Sequence, residues 1–408
     1  MSFTASADGS SKAEAIASAA GADKAKEGET KDGQKGKSSA DDQSKSAAGL
    51  ASKQSGETKK ADKKSASTDD GDGSGGSVGV GAALALNVAT SEADASLGAV
   101  SIVAGEGAGT GSLSLKAENN MDASAIADGS AAKGQLDTAV GIAIALNIAE
   151  MENRAVLDGT TVSADGVSAQ ALMKDVGGDK THTFAAKATS GASGDDTGVA
   201  GSFALNYSPA KTEAGVQGVV VVDAGAGDVL IAAANTTDAQ VEAKAKAGSA
   251  GDTGVGVSVG INIAVDNDTR ALIGDGVTLS GGNDVTLQAS GSHVVNTSAE
   301  GGGASAKGTG VGGALAITVA DNETEARIGT GVGLDVTGEV QAKAEHHGSS
   351  KTTAKGDGTG SSTAVGVALG LSFVDDSAKA STARDITADG AVSFTASADG
   401  SSKAEAIA

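Results

Sequence analysis

One eleven-residue pattern recurs six times along this chain of 408 residues, and it limits the fold more than any other feature. The copies read VGVGAALALNV (78–88), TAVGIAIALNI (138–148), TGVAGSFALNY (197–207), TGVGVSVGINI (253–263), TGVGGALAITV (309–319) and TAVGVALGLSF (363–373). Large and small residues alternate within each copy. In the fourth, Val255, Val257, Val259, Ile261 and Ile263 share one face, while Gly254, Gly256, Ser258, Gly260 and Asn262 share the other. A period of two sustained over eleven residues specifies a β-strand. Each glycine would also weaken a helix by about 1 kcal/mol relative to alanine.

The starts of the copies are 60, 59, 56, 56 and 54 residues apart. After the strand come VDNDT (265–269), ADNET (320–324) and VDDS (374–377), rich in turn-forming residues and expected to reverse the chain. Next come ALIGDGVTLSGGNDVTLQAS (271–290) and ARIGTGVGLDVTGEVQAKA (326–344), which read as short strands broken at glycine corners. A polar alternating stretch such as SHVVNTSAEGGGASA (292–306) leads back to the next copy. Each unit therefore offers three strand-bearing sides.

Near-constant unit length suits stacking in register. The expected fold is all-β: a β-solenoid (β-helix) of about six stacked coils of roughly 56 residues, with one low-complexity insert. An antiparallel meander of hairpins is the competing layout. In the solenoid, the Val/Ile/Leu rows are expected to seal the core. The Gly/Ala/Ser face would lie flat enough for close sheet packing, within the solenoid or between filaments. Asn87, Asn147, Asn206 and Asn262 fall at one repeat position, with Thr318 and Ser372 in the last two copies. Stacked about 4.8 Å apart, such side chains form a ladder. The third copy carries the only Pro and the only Tyr, in NYSPAK (206–211), where a bulge or loop is expected.

A second, longer repetition overlies the first. Residues 2–17 and 393–408 both read SFTASADGSSKAEAIA, 391 positions apart. The chain thus reads as one period of a tandem array: residues 1–17 end a repeat, 18–76 form an insert, and 77–408 hold the six repeats. The insert contains one Leu and no Val, Ile or aromatic residue, so it cannot bury enough apolar area to fold alone.

Composition narrows the function. Aromatic residues make up 1% of the chain, too few for an ordinary globular core. There is no Cys, which excludes disulfides, thiolate metal sites and c-type haem attachment. The formal charge is −22, and residues 18–76 are neutral with 11 Lys and 11 acidic groups, so the whole excess falls on the repeats. An acidic body of this kind disfavours nucleic acid and anionic membranes. No run reaches the roughly 18–20 apolar residues of a membrane span. No signal peptide is recognised at Met1; if the protein is exported, its signal is expected outside this stretch.

Motifs that suggest chemistry fail on context. GDGSGG (71–76) and GTGVGG (308–313) match a dinucleotide fingerprint, but no helix follows. Ser77 and Ser258 sit in GxSxG, but Ser258 is mid-strand rather than on a nucleophile elbow. Asp70, Asp72, Ser74 and Gly75 open like a calcium loop that has Gly81 where the bidentate Glu belongs. His182, His293, His346 and His347 lack paired ligand spacing and read as solvated strand residues. Asn206, Asn235, Asn267, Asn296 and Asn322 begin Asn-x-Ser/Thr sequons at near-background frequency. Regular Thr ranks of the kind that bind ice are missing. No catalytic or cofactor-binding residue is expected, and the chain does not read as an enzyme. The calcium candidate is the acidic corners, Asp266 with Asp268, Asp321 with Glu323, and Asp375 with Asp376. Stacking would line them along one edge.

The phrase TGVGVSVGINIAVDNDTRALIGDGVTLSGGNDVTLQAS, with its echoes at 309–344 and 363–398, resembles repeats of giant bacterial filamentous adhesins of the haemagglutinin-like and leukotoxin-type families. The resemblance implies an exported β-solenoid at the cell surface or in an extracellular biofilm matrix, and carries over no catalytic residue. The expected function is a structural filament or adhesin stalk associating end to end with itself and side by side with neighbouring filaments. The alternative is a surface module binding a glycan or host receptor through its lateral face or the 18–76 insert.

Overall fold

The computed structural model describes residues 1–19, 78–105, 110–131, 136–159, 161–218 and 220–408. Apart from Ser18 and Ala19, which extend the first strand, the 18–76 stretch lies outside the described residues. So do GDGSGG, Ser77 and the start of the calcium-loop match at Asp70.

The described residues are all-β, and their sheets are built from parallel strands stacked in register, the arrangement of a β-solenoid. The first broad sheet runs Ser2–Ala19, Leu113–Ala131, Val167–Met173 with His182–Gly194, Val229–Ser249, Val285–Ser305, Val340–Gly360 and Val392–Ile407. The second runs Val78–Asp94 with Leu97–Gly98, Thr138–Asp158, Thr197–Tyr207 with Ala210–Gln217, Thr253–Ile273, Thr309–Ile328 and Thr363–Thr382. Three-residue strands make the narrow third side: Ser101–Val103, Thr161–Ser163, Val221–Asp223 and Thr278–Ser280 in one group, Leu334–Val336 and Ile386–Ala388 in another. The antiparallel meander is therefore excluded. The first residues of the six alternating segments pair in turn, from Val78↔Thr138 to Thr309↔Thr363.

The expected reversals at 265–269, 320–324 and 374–377 do not occur. Thr253–Ile273, Thr309–Ile328 and Thr363–Thr382 run straight through them. What 265–269 contains is a bulge, where the register slips between Ala264 and Asn267 and Asp266 takes φ +55°. The chain turns later, at corners such as Gly166 (φ +94°), a conformation open to residues without a Cβ. The third copy breaks for two residues at Ser208–Pro209, yet its register against the second copy is unchanged, Tyr207↔Ile148 and then Ala210↔Met151. Pro209 still accepts a bond from the Met151 amide at 3.1 Å, so the proline interrupts the ladder without adding a loop.

The Val/Ile/Leu rows of the alternating segments do not seal the core as expected, and the close sheet packing expected of the Gly/Ala/Ser face occurs within the solenoid. Gly254, Gly256, Ser258, Gly260 and Asn262 point inward and are buried, while Val255, Val257, Val259, Ile261 and Ile263 point outward. The reason is the separation of the broad sheets. At this end they approach backbone to backbone. A methyl on Gly256 would overlap the carbonyl oxygen of Gly302, and one on Gly301 would overlap that of Gly313. The inward residues of the segments are accordingly Gly, Ala, Ser and Asn, with Thr318 the one exception.

Further along the same strands, the narrow sheet wedges the broad sheets apart. Here the apolar core lies, built from Leu115, Leu157, Ile231, Ile273, Leu287, Ile328 and Leu334 among others. The interior therefore grades from a thin Gly/Ala end, through a middle where polar rows alternate with apolar groups such as Met121, Met151, Phe184 and Val295, to a wide Val/Ile/Leu end. Flanking the polar middle, Ala125, Ala143, Ala186 and Ala204 pack as a separate cluster.

Candidate functional site

The polar middle is the most distinctive set of side chains inside the molecule. Asn87 Nδ2 donates to Asn147 Oδ1 at 2.8 Å, Asn147 to Asn206 at 2.8 Å, and Asn206 to Asn262 at 3.0 Å. All four asparagines are buried. Asn262 ends the amide run by donating to the carbonyls of Ala239 and Asn296. Thr318 continues the row with hydroxyl bonds to Thr297 (2.6 Å) and Thr352 (2.7 Å). Ser372 does so with Ser350 (3.3 Å) and Ser402 (2.9 Å). At the opposite end Ser11 donates to Asn87 at 2.6 Å. Asn87, Asn147 and Asn206 each donate to the amide of the next level, which fixes the axial register as well as satisfying buried polar groups.

A second interior row lies where turns were expected. Asn267 Nδ2 donates to Asn322 Oδ1 (2.8 Å), and Asn322 Nδ2 to Asp376 Oδ1 (2.7 Å). Asp376 therefore leaves the proposed acidic edge. It neighbours Asp375 in sequence, so strand alternation sends the two to opposite faces, and Asp376 points inward. The remaining acids lie outside. Asp321 pairs in register with Asp375, and Asp268 with Glu323. Arg270 bridges the second pair, 2.6 Å from Glu323 and 3.3 Å from Asp268, and Lys211 lies 3.8 Å from Asp266. Burial raises the Asp268 carboxyl above its ordinary range, against the pull of Arg270. Burial, then the neighbouring Asp375, does the same to Asp321. Among the described residues, no three His, Asp or Glu side chains converge as a metal site.

Three of the four histidines are interior, against the expectation of solvated residues. His182, His293 and His346 are 0%, 1% and 0% exposed; only His347 faces solvent. Their rings stand in the polar middle. His293 Nδ1 lies 2.8 Å from Thr237 Oγ1, and its ring stacks on that of His346 at 5.4 Å. His346 Nε2 lies 3.0 Å from Asp376 Oδ1. His182 Nδ1 accepts from the Met121 amide at 2.9 Å. Burial pushes His182 down to about 3. Burial, reinforced by the neighbouring histidines, does the same to His293. Sequence alternation placed these residues in strands but gave no sign of which face turned inward.

The sequons are mostly closed to modification in the folded chain. Asn206, Asn235, Asn267 and Asn322 are buried, and Asn296 alone lies on an outer face. Ser258 is fully buried against the opposite sheet. Sequence reasoning also missed Arg384, whose guanidinium donates to the carbonyls of Val277 (2.8 Å), Gly274 (3.0 Å), Gly329 (2.6 Å) and Thr330 (3.0 Å). It thereby ties three successive levels at the narrow corner.

The outer faces differ in chemistry. That of the first broad sheet is polar, with charge pairs two residues apart along the strand, such as Lys343–Glu345 and Lys355–Asp357, both 2.7 Å. That of the second is apolar over the eleven-residue segments and charged beyond them. Among the described residues no helix is long and apolar enough to cross a membrane. Comparison with protein families, curated proteins and solved structures finds no match to this chain.

Proposed function

We propose that this chain is a structural repeat segment of an extracellular or cell-surface filament, an adhesin stalk or matrix fibre, that continues end to end through strand stacking. It reads as six stacked coils of roughly 56 residues carrying the 18–76 insert, and it bears load rather than performing chemistry.

One observation carries this reading. The duplicated sequence SFTASADGSSKAEAIA occupies a strand at each end of the first broad sheet. As residues 2–17 it pairs on one edge with the strand Leu113–Ala131, Ser2↔Ser114 through Ala17↔Gly129. As residues 393–408 it pairs on the other edge with Val340–Gly360, Ser393↔Gln341 through Ile407↔Lys355. The same sequence thus has a defined parallel partner on each side. A strand carrying both partners at once is what a continuing array requires at its seam. The resemblance to filamentous adhesin repeats points the same way.

Electron microscopy with fibre diffraction tests it. Filaments with a meridional reflection near 4.8 Å are expected from stacked strands. A preparation that stays monomeric at high concentration overturns the proposal.

A further inference from the structure

The geometry points to the apolar outer face of the second broad sheet as a lateral interface that seats a second copy of this chain. The proposal goes beyond end-to-end continuation, because it uses a side of the stack rather than its ends.

The face is made by the large residues of all six segments. They stand in four full rows along the strand, one of them Leu84, Ile144, Phe203, Val259, Leu315 and Leu369, and a fifth in which Ile142, Val257 and Val367 alternate with Ala82, Gly201 and Gly313. Sheet convergence excludes these side chains from the interior, so they remain outside although they are apolar. Ile142 (40%), Val257 (44%) and Val367 (59%) are openly exposed. Exposed apolar patches on soluble proteins rarely exceed a few hundred Å² without serving as interaction sites. Eleven residues at about 3.3 Å and six levels at about 4.8 Å give a face of about 1,000 Å². A stable protein interface needs about 800 Å² from each partner.

Three observations favour a copy of the same chain as the occupant. The stretch 20–77 cannot cover the face with apolar groups, since Leu50 is its only large aliphatic residue and it contains no aromatic. A second copy has the same axial and strand-wise spacings, so rows meet rows at every level. The charge layout also selects one orientation. Beyond the apolar segments the same outer face carries Glu152, Asp268, Glu323 and Asp375 in excess over Arg154, Arg270 and Arg327, which stand farther along the strands. A twofold axis along the strands would lay these carboxylates over their own counterparts. A twofold axis along the stack, centred on the Val259 row, overlays apolar on apolar and offsets the charged halves. The two stacks then run in the same direction, and both remain free to continue.

The chain contains no cysteine, so single-cysteine variants report the contact directly. Val259→Cys, on the central row, is expected to give dimers with a short bis-maleimide. Ser290→Cys, on the polar outer face of the other sheet, is expected to stay monomeric. In the unmodified protein, mass per unit length is expected to be twice that of a single stack; without filaments, sedimentation is expected to show a dimer. Equal crosslinking of the two variants, or none with Val259→Cys, overturns the proposal. So does a single-stack mass, including a single stack that floats with phosphatidylcholine vesicles, which would assign the face to lipid. End-to-end filaments that leave Val259→Cys uncrosslinked would refute lateral pairing alone.

Discussion

The two halves of each long strand in the second broad sheet obey the same alternation with opposite results. In Thr253–Ile273 the first half buries Gly254, Gly256 and Gly260 and exposes valine and isoleucine. The second half buries Ala271 and Ile273 and turns Asp268 and Arg270 outward. Hydrophobicity alone would orient both halves the same way, with the large apolar groups inside. The space between the sheets decides instead. Where backbones nearly touch, the inward face must be small, and the apolar side chains are left outside. Where the narrow sheet opens the interior, large side chains such as Leu287 and Ile328 fill it.

Substitutions can break this contrast. At the wide end Leu287, fully buried, is expected to lose about 2–5 kcal/mol on change to alanine, as a cavity opens in a rigid core. Urea unfolding would measure it. At the thin end, Gly301→Ala adds only a methyl but is expected to cost about 1–3 kcal/mol, because that methyl meets the Gly313 carbonyl. If Gly301→Ala is tolerated, the sheets are not held at backbone contact there. Between the two ends, Asn147→Ala takes the acceptor from Asn87 Nδ2 and the donor from Asn206 Oδ1 and is expected to cost about 1–3 kcal/mol. On the outer face, Val257→Thr is expected to change the stability of an unpaired chain by no more than about 0.5 kcal/mol.

The polar middle gives the contrast a pH dependence. His182 and His293 are held neutral, with pKa values of about 3 against 6.5 in the unfolded chain. Below pH 6.5 the unfolded chain binds protons that the folded chain refuses. The stability gained from their neutrality is therefore complete above pH 6.5 and lost as pH falls from 6.5 toward 3, by at most about 1.4 kcal/mol per pH unit for each histidine. His293→Gln is expected to flatten the slope between pH 6.5 and 5. An unchanged slope would show that His293 is not buried as a neutral ring.

Much of the architecture was legible because a period of two in sequence is a period of two in space. The strands, their stacking, the three sides and the repeat position shared by Asn87, Asn147, Asn206 and Asn262 all follow from alternation and spacing. The acidic segments were misread because Asn and Asp favour turns in isolation. In the folded chain Asn267, Asn322 and Asp376 instead bond across levels, which holds the backbone extended. The same ambiguity hid His293 and His346, since an alternating strand assigns residues to two faces without saying which is inside.

By itself, then, the sequence determined that the chain forms alternating strands in repeats of near-equal length, and it favoured a parallel stack over an antiparallel meander, since such repeats can satisfy their backbones by pairing level to level. It did not determine which face of each strand is inward. That was settled only when three sides closed on one another, because the inward face is chosen by the distance to the opposite sheet, a quantity that exists only in the folded chain.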